Sequence, residues 1–381
     1  MKIKRILKWT ALTILIVLVV WIFIAYWTST NECFRNAAPP KNPMKAIAHC
    51  EYGGPDVLKV EEVEKPIPND NQVLIKVRAA SLNFIDPGLM RGPLPLRLMT
   101  GLRKPKQTQL GNDVAGQVEA VGQNVTQFKP GDEVFGVARA GLAEYACARE
   151  RALVIKPANV TFEQAGSVAW SGLTALQGLR AGKIRSGQKV LINGASGGVG
   201  TFAVQIAKSF GTEVTAVCST SKVDLIRSIG ADHVIDYTKE DFTKGGERYD
   251  VIYDNVGNRS RAERSRILMP NGICVLAGIG GAGPHESQLS RIGGIYTAFL
   301  ASRLSRQKFQ MYGTKTKQED LAVLRDLMAT GKVTPVIDRT YKLSETAEAM
   351  RYLEQGHARG KVVITLEQET KSNSEQASLR Q

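Results

Sequence analysis

Hydrophobic residues follow three different rhythms along the chain. Trp9 to Trp27 is a 19-residue run without a charge, and such a run predicts a helix crossing the ~30 Å hydrocarbon layer of a bilayer. From Met44 to about Ala158 the runs are short. Met44–His49, Val57–Val63, Val73–Ala79, Val114–Val121 and Glu133–Val137 read as strands, divided by turn residues at Gly53-Gly54, Pro66–Asn71 and Pro130-Gly131-Asp132. Near Thr161 the pattern changes to apolar strands alternating with amphipathic helices, the βαβ rhythm of a parallel sheet. Val190–Ile192 is a strand there, followed by a helical stripe of Val199, Phe202, Ala203, Ile206, Ala207 and Phe210 that Gly211 closes. Val214–Cys218, His233–Ile235, Val251–Asp254 and Ile273–Ala277 are further strands, with Lys222–Ile229 a helix. Helices around Leu321–Met328 and Ala347–Leu353 and a strand Val362–Leu366 complete the pattern.

The ends differ from this body. Lys2, Lys4, Arg5 and Lys8 make residues 1–8 a basic flank, 9–27 the expected transmembrane helix, and 28–43 a linker with Pro39, Pro40 and Pro43. A cleaved signal peptide is the rival reading of the first segment, but its apolar core would be shorter and small residues would stand where Tyr26 and Trp27 do. The expectation is therefore a single-pass N-terminal anchor, with the catalytic domain on the cytosolic side because the first basic cluster favours an inside N-terminus. Residues 367–381 are polar and expected to be disordered.

Composition narrows the function classes. The 381 residues are 43% hydrophobic and 23% charged, which suits a globular core. Five cysteines never lie closer than 17 residues apart and the four histidines include no H-E-x-x-H, which removes zinc ribbons, thioredoxin-like centres and a dense disulfide framework. The formal net charge is +14, with basic clusters at Arg97, Arg103, Lys104 and Lys106, at Arg259, Arg261, Arg264 and Arg266, and at Arg303, Arg306 and Lys308. No nucleic-acid-binding motif accompanies them, so a nucleic-acid partner is not expected; solvated faces and an anionic membrane surface are the readings left.

The strongest chemical pattern is Gly194-Ala195-Ser196-Gly197-Gly198-Val199-Gly200 between a strand and a helix. Ala195-x-Gly197-x-x-Gly200 is a dinucleotide-binding turn with alanine at its first glycine, in which Gly197 lets backbone approach a pyrophosphate and Gly200 seats the helix on the sheet. The same residues also fit a nucleophile elbow around Ser196, with His285 or His357 as base; Gly197 and Gly200 favour the phosphate reading. An NAD-preferring fold carries an Asp or Glu about 20 residues on. Here Cys218-Ser219-Thr220-Ser221-Lys222 follows instead. Hydroxyls, Lys222 and the phenol of Tyr237 suit a 2′-phosphate, so NADPH is the expected cofactor.

With these motifs on the page, the chain resembles the medium-chain dehydrogenase/reductase superfamily, in its zinc-free quinone oxidoreductase branch. The likeness runs from Met44 to Leu366, through Gly187-Gln188 to Lys208, Ser81-Leu-Asn83-Phe-Ile-Asp86, Leu110-Gly-Asn-Asp113-Val-Ala-Gly116, Asp254-Asn-Val-Gly257 and Gly356-His-Ala-Arg-Gly-Lys-Val-Val-Ile364. It is similar above all to the group containing the reticulon-interacting mitochondrial NADPH oxidoreductases. The resemblance implies an α/β fold: a GroES-like β domain over 44–160 and 314–366 with a doubly wound Rossmann sheet inserted over 161–313. By the same resemblance Ser196, Gly198 and Val199 contact the pyrophosphate, and Ser219, Lys222 and Tyr237 surround the 2′-phosphate. Asn255 and Val256 sit near the nicotinamide ribose, Gly278 near the ring, and His357, Ala358 and Arg359 close from the other domain.

Departures from the family's zinc enzymes set the chemistry. Those relatives carry a cysteine near the Asn83 position and Gly-His-Glu where this chain has Gly111-Asn112-Asp113, and zinc needs nitrogen or sulfur ligands that these positions lack. No metal is expected. The reaction then expected is hydride delivery to an electrophilic acceptor, a quinone or an enone, with Asn83 donating a hydrogen bond to the carbonyl oxygen and Asp86 orienting the cleft or the nicotinamide amide. Asn-x-x-Asp-Pro is also ordinary turn chemistry. The alternatives are an alcohol dehydrogenase-like enzyme of the same superfamily and a non-catalytic NADPH-binding redox scaffold. Two apolar-basic stretches, Gly92–Gln109 and Ile292–Phe309, are read as membrane-interface, homodimer or core contacts.

Overall fold

The protein is described by a computed structural model covering residues 39–277 and 306–366, together with Thr13, Ile16, Val17, Val20, Trp21, Phe23 and Ile24. β1 (Pro43–Ala48) and β2 (Lys59–Glu64) pair antiparallel as a ribbon. β3 (Gln72–Leu82), β4 (Asp113–Val121), β5 (Glu133–Val137), β6 (Tyr145–Arg149) and β7 (Leu153–Ile155) follow, all paired antiparallel. Between β3 and β4 the chain makes two short helices, α1 (Ile85–Arg91) and α2 (Leu94–Thr100). The strand-to-helix corner belongs to Asn83, Phe84 and Asp86. α2 is tied down by Tyr52, whose hydroxyl meets Thr100 Oγ1 and the Gly101 carbonyl at 2.8 Å each, while Leu94, Leu98 and Met99 stay exposed.

After α3 (Phe162–Ala165) and α4 (Ala169–Ala181) the second sheet begins. Its strands are β8 (Lys189–Asn193), β9 (Glu213–Cys218), β10 (His233–Asp236), β11 (Tyr249–Asp254), β12 (Leu268–Leu276) and β13 (Lys308–Met311), all parallel, in the order β10-β9-β8-β11-β12-β13. Two mirror halves meet between β8 and β11, the doubly wound order in which a dinucleotide lies across the reversal point. Covered on both faces, the strands read as unbroken apolar runs such as Val190-Leu-Ile192, all fully buried. α5 (Gly198–Ser209) and α6 (Val223–Ser228) connect β8 to β9 and β9 to β10, and α7 (Arg261–Arg266) precedes β12. Gly178 lets α4 lie close on this sheet: a Cβ there would meet Tyr253 Cε2 at 2.3 Å.

The chain then returns through α8 (Gln318–Ala329), β14 (Ile337–Lys342), α9 (Thr346–Glu354) and β15 (Lys361–Thr365). β15 joins β3 antiparallel, completing a seven-stranded first sheet. The return carries Lys361 from the far end of the sequence to within reach of Asn83 and Asp113.

Two expectations need correction. The transmembrane helix over 9–27, and the membrane location drawn from it, do not stand: among the described residues no helix is long and apolar enough to cross a membrane. A span needs ~20 continuous apolar residues, whereas the longest described helix has 13. The remainder of 9–27, the linker up to residue 38 and the tail 367–381 lie outside the described residues. The second correction concerns the arginine cluster at 259–266, three of whose four arginines make internal contacts while Arg266 is exposed. Arg259 pairs with Asp241 at 3.4 Å and lies over Phe242, Arg261 lies over Phe309, and Arg264 is buried against Asp254. One feature had no sequence cue: Cys50 is disulfide-bonded, while Cys147, Cys218 and Cys274 are free thiols.

Candidate active site at the meeting of the two sheets

The turn after β8 shows why each small residue is there. Gly194 takes the left-handed conformation (φ +81°), open to glycine at little cost. A Cβ on Gly200 would sit 2.1 Å from the Gly194 carbonyl oxygen, so α5 approaches the strand too closely for any side chain. Gly197 is different: the nearest heavy atom to a Cβ there is 3.8 Å away. Its smallness serves space beside the turn rather than packing beneath it. Gly197 is also the N-cap of α5 and makes no side-chain cap hydrogen bond, which leaves the N–H groups of Gly198 and Val199 to an anion. A dinucleotide pyrophosphate fits such a cradle. Ser196 is buried in it.

Other predicted cofactor residues surround this cradle. Asp254, buried at the end of β11, accepts from Asn193 Nδ2 at 2.8 Å, Val256 N at 3.2 Å and Gly257 N at 2.8 Å, while Arg264 Nε donates to its other oxygen at 2.6 Å. That network fixes Asn255 and Val256 beside Gly194, whose Cβ would meet Val256 Cγ2 at 2.7 Å. From the other sheet, Gly360 forms a parallel bridge with Gly197, so the segment Ala358–Lys361 runs directly past the turn. Lys222 Nζ reaches the Ala358 carbonyl at 3.4 Å. Burial first, and the neighbouring Arg359 cation second, hold the Lys222 ammonium below its ordinary pKa. A buried lysine and an arginine brought to it from a separate part of the chain fit a phosphate lying between them.

No carboxylate ends β9. Asp236, at the end of β10, is engaged by Thr220 and Thr238, hydrogen bonds that hold its carboxyl down at about 2. Ser219 caps the short turn holding Thr220, and Tyr237 is exposed beside it. Arg359 is anchored through its backbone N–H to Asp338 Oδ2 at 2.9 Å. His357 is exposed on the preceding turn, with no hydrogen bond that brings it to the cradle. Gly278 lies outside the described residues.

Beyond the turn, around Asn83 and Asp86, lies a buried polar cluster. Asn83 Nδ2 donates to Asp113 Oδ2 at 3.2 Å, and Asn83 Oδ1 accepts from Lys361 Nζ at 2.6 Å. Ser81 Oγ donates to the same Asp113 oxygen at 3.1 Å, and Trp170 N to its other oxygen at 2.7 Å. Asp86 Oδ2 accepts from Asn83 N at 2.6 Å, while its Oδ1 has no hydrogen-bond partner. Asp86 is 0% exposed and Lys361 2% exposed. Burial raises the Asp86 carboxyl to about 6, against the opposing pull of the Asn83 N–H and the Lys361 charge. Burial likewise lowers the Lys361 ammonium, opposed by Asp113. The sequence reading named Asn83 and Asp86 but missed Asp113, Ser171 and Lys361, although Asp113 and Lys361 stood inside quoted motifs; a charged residue in an otherwise apolar strand start was the available signal.

Comparison with known proteins decides the family. Residues 69–212 match the alcohol dehydrogenase GroES-like domain and residues 229–364 the zinc-binding dehydrogenase domain. A chloroplastic NADPH-dependent alkenal/one oxidoreductase of Arabidopsis thaliana is 35% identical over 86% of this chain and 81% of that protein. The chain belongs to the medium-chain dehydrogenase/reductase superfamily. Within this superfamily it is also 33% identical to the mitochondrial NAD(P)H oxidoreductase RTN4IP1 of Mus musculus, over 88% of this chain and 96% of that one. The solved quinone oxidoreductase of Coxiella burnetii superposes with a TM-score of 0.72 at 31% identity, covering 86% of this chain and all of the other. As a member of the superfamily the chain pairs a GroES-like part with a Rossmann part, and Gly360 bridges Gly197 in the glycine-rich turn.

Proposed function

We propose that the protein is an NADPH-dependent oxidoreductase that reduces a quinone or an α,β-unsaturated carbonyl without zinc. The observation that carries this reading is the juxtaposition, across the Gly197–Gly360 bridge, of a phosphate cradle and a buried Asn–Asp–Lys cluster. Relatives named as alkenal/one and quinone oxidoreductases support the acceptor class. The zinc-free part rests on the side chains: Asn83 and Asn112 stand where a thiol and an imidazole ligand would be needed, and among the described residues no three His, Cys, Asp or Glu side chains gather as a metal site.

The residues divide the work. Gly197, Gly198 and Val199 hold the pyrophosphate, and Lys222 and Arg359 with Ser219 and Tyr237 hold the 2′-phosphate. Asn255 and Val256 lie by the nicotinamide ribose, and Ala358 closes on the cofactor from the other domain. When bound, NADPH supplies a hydride. Asn83 spends one amide N–H on Asp113 and keeps the other for the acceptor's carbonyl oxygen, where negative charge develops; one such donor is worth roughly a hundredfold or more in rate. Asp86 fixes the corner through the Asn83 backbone N–H and so sets where that amide sits. Reduction of a quinone to a hydroquinone takes up one hydride and one proton, so the cleft must also admit a proton from solvent.

Steady-state oxidation of NADPH with a panel of quinones and enones tests the reading, with metal analysis of the same sample. Turnover with a sub-stoichiometric zinc content is the expected result. Binding of NADPH without turnover of any acceptor, or loss of turnover on removing a stoichiometric metal, contradicts it.

A further inference from the structure

Lys361 is assigned no role of its own in the scheme above, yet it is a cation only 2% exposed. Its ammonium donates to Asn83 Oδ1 at 2.6 Å and Ser171 Oγ at 3.2 Å, and approaches Asp113 Oδ2 at 3.4 Å. Three N–H donors therefore face three oxygens, which satisfies the group. A lysine has to offset a large desolvation cost to sit there, and a neutral strand residue would spare the fold that cost. Its position couples two sites. The preceding residue bridges Gly197, and Lys361 Cδ lies 3.1 Å from where a Cβ on Gly198 would be.

We propose that Lys361 is a positioning residue that fixes which end of the Asn83 carboxamide faces the acceptor. With Nζ on one side and the Asp113 carboxylate on the other, only one orientation places oxygen against a donor and N–H against an acceptor. The flipped amide would set donor against donor and acceptor against acceptor. Lys361 thereby keeps an N–H, rather than a carbonyl, available for the acceptor oxygen, and Gly360 ties that orientation to the cofactor turn. This inference rests on the reductase reading.

Lys361→Met removes the donor, and Lys361→Gln keeps an uncharged N–H on a side chain one bond shorter. In the full-length protein Lys361→Met is expected to lower kcat with a short-chain quinone by about a hundredfold. The deuterium isotope effect from 4-deuterated NADPH on kcat should rise, and the NADPH Kd from nucleotide fluorescence should stay within about threefold. Lys361→Gln should recover at least about tenfold of the lost kcat. If Lys361→Met does not fold, Lys361→Gln carries the test alone: kcat within about tenfold of the parent supports the proposal, and a larger loss at unchanged Kd overturns it. An NADPH Kd raised by more than about tenfold at unchanged kcat would make Lys361 a phosphate ligand and also overturn it. A parent protein that binds NADPH but reduces neither quinones nor enones refutes the underlying function instead, a result visible before any variant is made.

Discussion

Replacing Asp86 with Asn separates charge from hydrogen bonding in the buried corner. The substitution keeps an oxygen that can accept from the Asn83 N–H, now at 2.6 Å, and removes the ability to ionise. The native carboxyl sits at about 6 instead of 3.8, with burial as the leading cause. At 1.36 kcal/mol per pKa unit, that difference amounts to about 3 kcal/mol between the neutral and charged forms. The sign follows from proton linkage. Between 3.8 and about 6 the folded state holds a proton that the unfolded chain has released, so the contribution of Asp86 is least unfavourable below that window and becomes costlier as pH rises through it. Above it the charged group is buried at full cost. Asp86→Asn should therefore match the parent near pH 4 and exceed it by roughly 3 kcal/mol above pH 7, an increase of about 1 M in the urea midpoint. Parallel urea titrations at pH steps from 4 to 8, followed by tryptophan fluorescence, measure this. A difference between the two proteins that does not change with pH would refute the argument, because it would mean the Asp86 carboxyl titrates alike in the folded and unfolded states. Turnover should fall less than about tenfold, since the Asn83 backbone keeps its acceptor.

Three further outcomes follow from the same geometry. Gly197→Ala should fold normally, because its Cβ has 3.8 Å of clearance, yet lose about tenfold or more in NADPH affinity by fluorescence titration; Gly200→Ala, whose Cβ would meet a carbonyl oxygen at 2.1 Å, should also lower the thermal midpoint. Lys222→Ala or Arg359→Ala should weaken NADPH by about ten- to a hundredfold while leaving NADH within about threefold, read as the ratio of the two Kd values. Arg264→Met strands the buried Asp254 carboxylate, now bonded at 2.6 Å, and should cost about 3–5 kcal/mol in chemical denaturation.

Legibility in the sequence followed the reach of the physics. The β8-to-α5 turn is local: a strand, a tight bend and a helix within Lys189–Ser209, each with its own periodicity, so these elements could be read directly. β13 and β14 were not anticipated because Lys308–Met311 and Ile337–Lys342 are short or half-exposed and carry little apolar alternation. Helices α1 and α2 were hidden by Pro87, Pro93 and Pro95, which read as turn punctuation but are tolerated in the first turn of a helix. The charge-free stretch at 9–27 shows the opposite failure, in which composition was taken for a span that the described helices do not supply.

The acceptor side was least legible because no local rule assembles it. Asn83, Asp113 and Lys361 are contributed by the β3–α1 corner, β4 and β15, and the Lys361–Asn83 bond joins residues 278 positions apart. Periodicity assigns all three to strands or turns, where a charged residue normally reads as solvent-facing. Only the antiparallel register of β15 on β3, which sets Val362 opposite Leu82 and Val363 opposite Ser81, turns Lys361 inward beside Asn83. The geometry of this cluster is therefore set by how two distant halves of one sheet close on each other, and the glycine-rich turn is tied to it through the bridge from Gly197 to Gly360.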